Sequence, residues 1–336
     1  MKEAEEQNVE QKQAPKLRRR KGKWWILLFA VLVLGVITGM FYFRGPGLNE
    51  QLRALADGRT SSYREEVQGP GWYVKLAEKY KLPLLKRPIY FNSRTVTDED
   101  MAVVGRANTL RDVRLFYSQI SDVGLAHLEG LTKLQYLYLN GTKVGDAGLA
   151  HLSELIELRD LSLDATKVSD SGLAHLSELN ELWALNLSRT KVSDAGLSHL
   201  GKLKNLKNLD LNNTQVTDEG LAVLCGFGNL RYLYIRGTQV TDAGLAHLSQ
   251  LIELRALNLR WTKVSDAGLV HIKKLKKLEW LSLIGTQVTD AGLIHLKSLK
   301  GLTYLGLSET GVTSEGIADL KSAIPGLRVE WSPRNR

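Results

Sequence analysis

Apolar residues recur along Leu110 to Gly326 with a period of about 24 residues. Nine copies follow one another, and each carries apolar residues at its positions 1, 4, 6, 11, 16, 19 and usually 22. The copies begin at Leu110, Leu134, Leu158, Leu182, Leu206, Leu230, Leu254, Leu278 and Leu302. A period of this length predicts small structural units that bury their apolar faces by stacking on their neighbours.

The copy that begins at Leu134 predicts a strand, a turn and a short helix. Its residues Tyr136–Asn140 alternate between apolar and polar faces, which is typical of a strand. Thr142–Asp146 then turns the chain, and three leucines follow on one side of a short helix: Leu149, Leu152 and Leu155. Strands stack about 4.8 Å apart while helices need about 8–10 Å, so the stack must curve with a parallel sheet on its concave side.

Three polar or small positions repeat as regularly as the leucines. Position 9 is threonine in eight copies and Ser118 in the first, and we expect its hydroxyl to bond to neighbouring backbone. Position 13 is aspartate in eight copies and Ser314 in the ninth, which predicts a helix N-cap. Position 15 is glycine in all nine copies, from Gly124 to Gly316. Because glycine is a poor choice inside a helix, it predicts a neighbour packed too close for a side chain.

Both ends of the repeat array differ from its middle. Lys86–Thr109 is a degenerate copy that we interpret as an N-terminal repeat, so the repeat domain is predicted to span 86–326. Residues 44–85 predict a linker and helical cap, with a short helix at Leu48–Ala56 and an amphipathic helix at Trp72–Lys81. Residues 327–336 predict a C-terminal cap that contains a last short strand, Leu327–Trp331.

A charged tail and an apolar segment precede the repeats. Residues 1–23 hold eight Lys/Arg against four Glu and no apolar period, which predicts a disordered tail. Trp24–Phe43 has twenty uncharged residues, enough for a helix to cross a membrane, with aromatic residues at both ends. No cleavage site follows Met40, which favours an uncleaved signal anchor over a signal peptide. The basic cluster predicts a cytoplasmic N-terminus and repeats outside the inner membrane.

Composition excludes some classes of partner and compartment. Of the net charge of +9, the first 23 residues carry +4, so the repeats lack the concentrated charge of a nucleic-acid binder. Cys225 is the one cysteine, so no intrachain disulfide can form. The absence of disulfide caps favours a bacterial protein or a reducing compartment.

The opening Leu-x-x-Leu-x-Leu of each copy identifies the chain as similar to leucine-rich-repeat proteins over roughly residues 86–331. The segment Thr238–Leu245, TQVTDAGL, resembles the cysteine-containing subclass first recognised in F-box adaptors, although the repeated cysteine of that subclass is absent. With the apolar segment, the chain resembles membrane-anchored leucine-rich-repeat proteins of bacteria. The resemblance implies an α/β solenoid shaped like a horseshoe, with short convex helices.

No residue constellation predicts an enzyme. All seven histidines occupy position 18 on the convex side, where a half-exposed helix position accounts for them. Cys225 is predicted to be a buried or half-buried small residue rather than a nucleophile. We find no nucleophile elbow, phosphate-binding loop or zinc-protease motif, so no catalytic residue, metal or cofactor is predicted.

The repeats differ from one another at strand positions 3, 5, 7 and 8, which face the concave side. Tyrosine, tryptophan and arginine, the residue types that dominate protein-binding hot spots, collect there in two clusters. The first comprises Phe116, Tyr117, Tyr136 and Tyr138. The second comprises Tyr232, Tyr234, Arg236, Arg260, Trp261, Trp280 and Tyr304. These residues are the predicted ligand-binding surface, although aromatic residues also suit strands for purely structural reasons.

We therefore expect a single-pass membrane protein that recognises another protein, without catalysis, through the concave face of its repeats. An intracellular F-box-like substrate adaptor is one alternative, but residues 44–85 show no convincing F-box. An envelope protein with a glycan-binding or purely structural role is another alternative, since aromatic and arginine side chains also suit glycans.

Overall fold

The computed structural model describes residues 48–56, 62–67 and 86–333. The predicted tail, the apolar segment Trp24–Phe43 and the predicted helix Trp72–Lys81 lie outside these described residues. Within the described residues, no helix is both long enough and apolar enough to cross a membrane.

The described residues form one open sheet of twelve strands, each hydrogen-bonded to the next in chain order. The strands are β1 (Ser62–Val67), β2 (Lys86–Asn92), β3 (Asp112–Arg114), β4 (Tyr136–Tyr138), β5 (Asp160–Ser162), β6 (Ala184–Asn186), β7 (Asn208–Asp210), β8 (Tyr232–Tyr234), β9 (Ala256–Asn258), β10 (Trp280–Ser282), β11 (Tyr304–Gly306) and β12 (Arg328–Glu330). From β2 to β12 the eleven strands are parallel, whereas β1 pairs antiparallel with β2. The predicted parallel solenoid is confirmed in the described residues.

A short helix follows nearly every strand and returns the chain to the next one. The α-helices are Leu48–Leu55, Asp98–Val104, Asp122–Ala126, Asp146–Ala150, Asp170–Leu173, Asp194–His199, Asp218–Leu224, Asp242–Leu248, Asp266–Ile272, Asp290–Leu293 and Ser314–Ala323. Two turns of 3-10 helix extend the short ones at Ala174–Leu176 and Leu200–Lys202. Each crossover before the last thus uses only a turn or two of helix.

The leucine positions form a continuous core between the sheet and the helices. In one repeat, the seven apolar positions are all fully buried: Leu134, Leu137, Leu139, Val144, Leu149, Leu152 and Leu155. Truncating such a leucine to alanine costs about 2–5 kcal/mol. Because every repeat supplies the same set, the core extends from Phe91 to Leu327 as a single cluster.

The position-9 hydroxyls bond to backbone as predicted. Thr142 Oγ1 donates to the Leu139 carbonyl at 2.7 Å, three residues earlier in the same repeat. Thr238 and Thr286 make the same bond at 2.7 and 2.6 Å. The hydroxyl therefore closes the bend after each strand and satisfies a buried carbonyl.

The prediction that the position-13 aspartates are helix N-caps is wrong. The cap is the preceding residue. In most repeats its side-chain hydroxyl accepts a backbone amide, as Thr241 Oγ1 does from Ala243 at 3.3 Å. Each aspartate is the first helical residue, and its carboxylate instead reaches into the next repeat. Asp218 accepts from the Thr241 backbone amide at 2.8 Å and from its hydroxyl at 2.6 Å. These donors belong to the next repeat, so the linking role of the aspartate cannot be predicted from a single copy of the repeat.

Nine such inter-repeat links run along the described repeats, from Asp98 to Asp290. They also explain the position-15 glycines. A Cβ built on Gly172 would lie 2.5 Å from Asp146 Oδ1 of the preceding repeat, closer than any real contact. The prediction of a crowded neighbour at this position is confirmed, and the crowding group is the linking carboxylate.

The two ends of the sheet are covered by different devices. At the N-terminal end, the helix Leu48–Leu55 buries Leu52, and Ser93 Oγ donates to the Leu55 carbonyl at 3.1 Å. Strand β1, which was not predicted because it is short and charged, protects the open edge of β2. At the other end, Trp331 Nε1 donates to the Val312 carbonyl at 3.0 Å, which holds the chain after β12 against the last repeat.

Candidate functional site on the concave face

Equivalent strand residues form rows across the sheet, because each strand pairs with the next in exact repeat register. Tyr136 lies opposite Asp112 and Asp160, and Tyr138 lies opposite Arg114 and Ser162. The residues at positions 3, 5 and 7 thus make one surface, here called the concave face. A side chain on this face meets others from the neighbouring repeats rather than from its own.

An aromatic cluster with an arginine at its centre occupies the N-terminal part of the concave face. The rings of Phe116 and Tyr138 lie 5.7 Å apart. The Arg114 guanidinium lies between two rings, 4.9 Å from the centroid of Tyr138 and 5.3 Å from that of Tyr90. Tyr90 and Arg114 were missed as site residues, since only the stacking of a degenerate repeat on the first full one brings them together.

Two carboxylates hold this N-terminal cluster in place. Arg114 donates to both carboxylate oxygens of Asp112 at 3.0 and 2.9 Å, and these hydrogen bonds raise the pKa of Arg114. The Tyr138 hydroxyl donates to Asp160 at 2.8 Å. Burial and this hydrogen bond raise the pKa of Tyr138 well above its usual range. Burial also raises the pKa of Asp160, while the hydrogen bond from Tyr138 opposes that rise.

The other two predicted residues of the first cluster lie apart from this contact. Tyr136 is half-buried on the same strand as Tyr138, in the neighbouring row. Tyr117 is 57% exposed and lies beyond the end of β3, with its ring over Gly141. The Arg94 guanidinium lies 5.8 Å from the Tyr117 centroid. Tyr117 therefore belongs to the rim of the face.

A second aromatic cluster crosses four repeats near the C-terminal end. The rings of Trp280 and Tyr304 are stacked, 5.2 Å apart with an interplanar angle of 4°. Tyr234 meets the edge of Trp280 at 6.4 Å. The Tyr304 hydroxyl donates to the carboxylate of Glu330 on the last strand. Burial and this bond raise the pKa of Tyr304 to about 12.

The remaining predicted residues surround this second cluster without joining its ring contacts. Arg236 is exposed, and Arg260 is half-buried with an Nε that has no hydrogen-bond partner in the described part of the chain. Trp261 lies on the rim, 48% exposed, with its ring over Gly285. Tyr232 lies in the same row as Trp280 and Tyr304, with Ala256 between it and Trp280. The structure thus brings together Tyr234, Trp280 and Tyr304, and it places the others around them.

A polar strip separates the two clusters on strands β5 to β7 and the turns that follow. Asp164 accepts two hydrogen bonds from Arg189, the nearer pair of atoms being Nη2 and Oδ2 at 2.5 Å. Asp210 Oδ1 accepts from the Asn212 backbone amide at 2.9 Å. Burial raises the pKa of Asp210 to about 6, and the nearby charge of Asp164 adds to this shift. The two carboxylates of Asp164 and Asp210 against the one guanidinium of Arg189 make the strip acidic at neutral pH. Hydrogen bonds from Arg189 and from the Asn212 amide hold these carboxylates in place.

The rim of the concave face is formed by position 8, which has a left-handed backbone in all nine full repeats. Glycine occupies it three times, whereas the other six residues are Tyr117, Ala165, Arg189, Asn213, Trp261 and Glu309, with φ between 53° and 57°. A bulky side chain in this conformation is strained. The signal for this conformation was the alternation of glycine and asparagine with larger residues at one repeat position.

The histidines and the cysteine lie on the convex side, as their positions imply. All seven histidines are exposed or half-exposed, and His151 forms an ion pair with Glu129. Among the described residues, no group of three or more potential ligands is placed to hold a metal ion. The prediction of a buried or half-buried Cys225 is wrong, because its side chain is exposed and its Sγ donates to the His247 carbonyl at 3.3 Å.

Comparison with known protein families identifies the repeat itself. A family described as leucine-rich repeat matches residues 130–153, 202–225 and 253–272. The match identifies these three segments as leucine-rich repeats, and it agrees with the strand and helix pattern of the described residues. Proteins built from this repeat are generally protein-binding scaffolds rather than enzymes. A comparison with curated proteins finds no match.

The chain is also similar to solved structures, three of which are described next. Internalin C2 of Listeria monocytogenes is 25% identical over 59% of this chain and 80% of its own, with a TM-score of 0.49. The internalin InlF of the same organism is 21% identical over 72% of this chain and 90% of its own, with a TM-score of 0.38. A leucine-rich-repeat protein of Leptospira interrogans is 18% identical over 68% of this chain and 74% of its own, with a TM-score of 0.45.

Proposed function

We propose that this chain is a non-catalytic recognition protein that binds another protein through the concave face of its repeats. The observation that carries the proposal is the contact among Tyr234, Trp280 and Tyr304, three large half-buried rings on the concave side of a rigid sheet. Aromatic and arginine side chains on such a support lose little entropy on binding, and they dominate measured hot spots. Arg236 extends from the same surface, exposed to solvent.

The size of the face agrees with this role. Nine strands at about 4.8 Å give an inner surface about 40 Å long, enough for an interface of standard size. Along the sheet, an aromatic cluster is followed by the polar strip, which is acidic, and then by the second aromatic cluster. A partner with apolar anchors at both ends and polar or basic groups between them would match that order.

The proposal includes a membrane tether, which rests on sequence alone. Trp24–Phe43 is uncharged and long enough to span the bilayer, and the basic cluster before it favours a cytoplasmic N-terminus. On this hypothesis the repeats face the space outside the inner membrane of a bacterium. The resemblance to bacterial membrane-anchored proteins and to the F-box-adaptor subclass of repeats belongs to the same proposal.

The recognition proposal is tested by capturing partners with the full chain and with a concave-face variant. We expect Tyr234→Ala/Arg236→Ala/Trp261→Ala to lose partners that the native chain retains after crosslinking and pull-down from its own cells. The matched control truncates three exposed isoleucines away from the concave face: Ile156→Ala/Ile252→Ala/Ile294→Ala. Equal capture by the concave variant and the native chain would refute recognition through this surface.

The tether and its orientation are tested by protease treatment of spheroplasts. We expect the repeats to be cleaved or shed while an epitope tag placed before Met1 stays protected. Deleting Trp24–Phe43 should release the chain from the membrane fraction. Protection of the repeats with loss of the tag would show that the orientation is reversed.

A further inference from the structure

One edge of the sheet carries a row of side chains that the concave-face site does not use. Position 2 of each repeat lies where the strand begins, and successive position-2 residues are joined through their backbones. Trp183 donates its amide to the Arg159 carbonyl at 2.9 Å and accepts from the Lys207 amide at 2.8 Å. Side chains in this row therefore project side by side, about 4.8 Å apart from repeat to repeat.

The row is strongly basic and contains a single aromatic residue. Read along the nine repeats, it is Arg111, Gln135, Arg159, Trp183, Lys207, Arg231, Arg255, Glu279 and Thr303. Arg255 forms an ion pair with Glu279 at 2.6 Å. Within the described chain, Arg159, Lys207 and Arg231 make no ion pair and no side-chain hydrogen bond, and all three are exposed. We call Arg159, Trp183, Lys207 and Arg231 the basic edge.

Two adjoining cavities open beside the half-buried Trp183. The first, of about 280 Å³, is lined by Arg159, Glu181, Trp183, Asn205 and Lys207. The second, of about 330 Å³, is lined by Trp183, Lys207, Asn208, Arg231 and Tyr232. Three cations against the one carboxylate of Glu181 leave the pair of cavities net positive. Trp183 and Lys207 line both cavities.

We propose that the basic edge binds an acidic, extended segment of a polypeptide. In this arrangement one carboxylate meets Arg159, a second meets Lys207 and Arg231 together, and an apolar side chain between them packs on Trp183. The inference rests on the proposed function, because the segment belongs to the protein partner recognised by the concave face. Tyr232 connects the two surfaces, since it lines the second cavity and lies on the same strand as Tyr234.

Spacing favours a peptide as the occupant. Arg159 and Lys207 are two repeats apart, about 9.6 Å at the strand spacing. One turn of an extended polyproline-II chain has three residues, spans about 9.3 Å and brings every third side chain to the same face. Carboxylates separated by three residues would therefore reach both cations at once. Lys207 and Arg231 are one repeat apart, about 4.8 Å, close enough to bind the same carboxylate. Tryptophan and arginine at one place are also typical of protein-binding hot spots.

The experiment uses the full chain in detergent and a labelled probe peptide. The probe is a fluorescein-labelled dodecapeptide with glutamate at every third position and leucine or glycine between, and its binding is followed by anisotropy at low salt. We expect Lys207→Glu/Arg231→Glu to weaken binding by about tenfold or more and Trp183→Ala by about fivefold. The matched control, Lys273→Glu/Lys274→Glu, makes the same charge change on two exposed lysines of the convex side and should leave binding within about twofold of the native chain.

Different results would overturn the basic edge as a site, the peptide as its ligand, or the concave-face proposal. Equal weakening by both double variants would show diffuse attraction to net charge and overturn the site. Tighter binding of oligogalacturonate than of the peptide, with the same dependence on Trp183, would assign the edge to an acidic glycan and overturn the peptide. The variant Tyr234→Ala/Arg236→Ala/Trp261→Ala separates the two proposals, because it should keep probe binding even though it loses the partner. If that variant still captures the partner while the edge variants lose the probe, the concave-face proposal fails and the edge site stands.

Discussion

The carboxylate of Asp146 binds the residue that caps the next helix, Ser169, which lies 23 positions further along the chain. Its Oδ1 accepts from the Ser169 backbone amide at 2.6 Å, and its Oδ2 accepts from the Ser169 hydroxyl. Ser171 Oγ donates to the same carboxylate at 2.7 Å. One side chain thus connects two repeats and fixes the start of a helix in the second.

Removing the charge of Asp146 should weaken the stack. Burial raises the pKa of Asp146, but the bonds from Ser169, Ser171 and Gly172 outweigh it and leave the pKa below its ordinary value. We expect Asp146→Asn to lower the free energy of unfolding at pH 7 by about 1–2 kcal/mol, a modest loss because the group is partly exposed. Since the folded pKa is depressed, this stabilisation is present above the unfolded pKa of about 3.9 and is lost as pH falls through the folded pKa. Urea unfolding at pH 7 and pH 3 checks this, and an equal loss at both would contradict it.

The crowded glycines should not tolerate a methyl group. In Gly172→Ala the new Cβ would meet Asp146 Oδ1 and lie 3.1 Å from Leu149 Cδ1, so we expect a loss of about 1–3 kcal/mol in stability. The matched control is Gly201→Ala, where no atom lies within 4 Å of the added Cβ. That change should be neutral or stabilise by up to about 1 kcal/mol through the unfolded chain. Similar thermal midpoints for the two variants would show that the carboxylate contact does not matter.

The rim position predicts a stabilising substitution. Ala165 has φ of 55°, a conformation that costs an L-residue about 1–2 kcal/mol relative to glycine. Ala165→Gly should therefore raise the free energy of unfolding by about 1 kcal/mol, partly offset by the greater entropy of the unfolded chain. Ala222→Gly, inside the helix Asp218–Leu224, is the control and should destabilise by about 0.5–1 kcal/mol. A loss of stability in both variants would mean that Ala165 is not strained.

Because of Asp210 in the polar strip, we expect the free energy of unfolding to fall as pH rises. Asp210 has a folded pKa of about 6, above its unfolded value, so it binds more protons folded than unfolded between roughly pH 4 and pH 6. Stability from this group is full below the unfolded pKa and lost as pH rises through about 6. Asp210→Asn keeps an acceptor for the Asn212 amide and should be more stable than the native chain by about 1–3 kcal/mol at pH 8. At pH 4 the two should match, and denaturant titrations at both values decide the point.

Burial along the chain was predictable from the leucines, since apolar positions at a fixed period can be buried only by stacking. Leu137, Leu139 and Val144 are all inside as predicted, and the glycines mark a close neighbour. The identity of that neighbour was not predictable. A carboxylate near a helix start satisfies the pattern of an N-cap within one copy, and only the adjacent copy supplies the stronger donors that Asp146 and Asp218 use.

The candidate site was predicted as a set of residues but not as an arrangement. The rows of the concave face follow from strand alternation, so Tyr234, Trp280 and Tyr304 could be chosen from sequence. Sequence alternation did not distinguish the face from its rim, because Tyr117 and Trp261 lie beyond the strands in a left-handed conformation, where the strand alternation no longer applies. It also missed Trp183, which lies one residue before the strand and has no counterpart in the other repeats.

The sequence by itself therefore determined the repeat period, the positions of the buried leucines and the parallel direction of the strands. These features depend on local propensity and apolar spacing, which act within about 24 residues. Which groups meet across repeats was decided only by stacking. Asp146 with Ser169, Arg114 with Tyr90 and Tyr138, and Trp183 with Lys207 are each contacts between neighbouring units. Such contacts depend on the register and spacing of adjacent strands, which no single copy of the repeat contains.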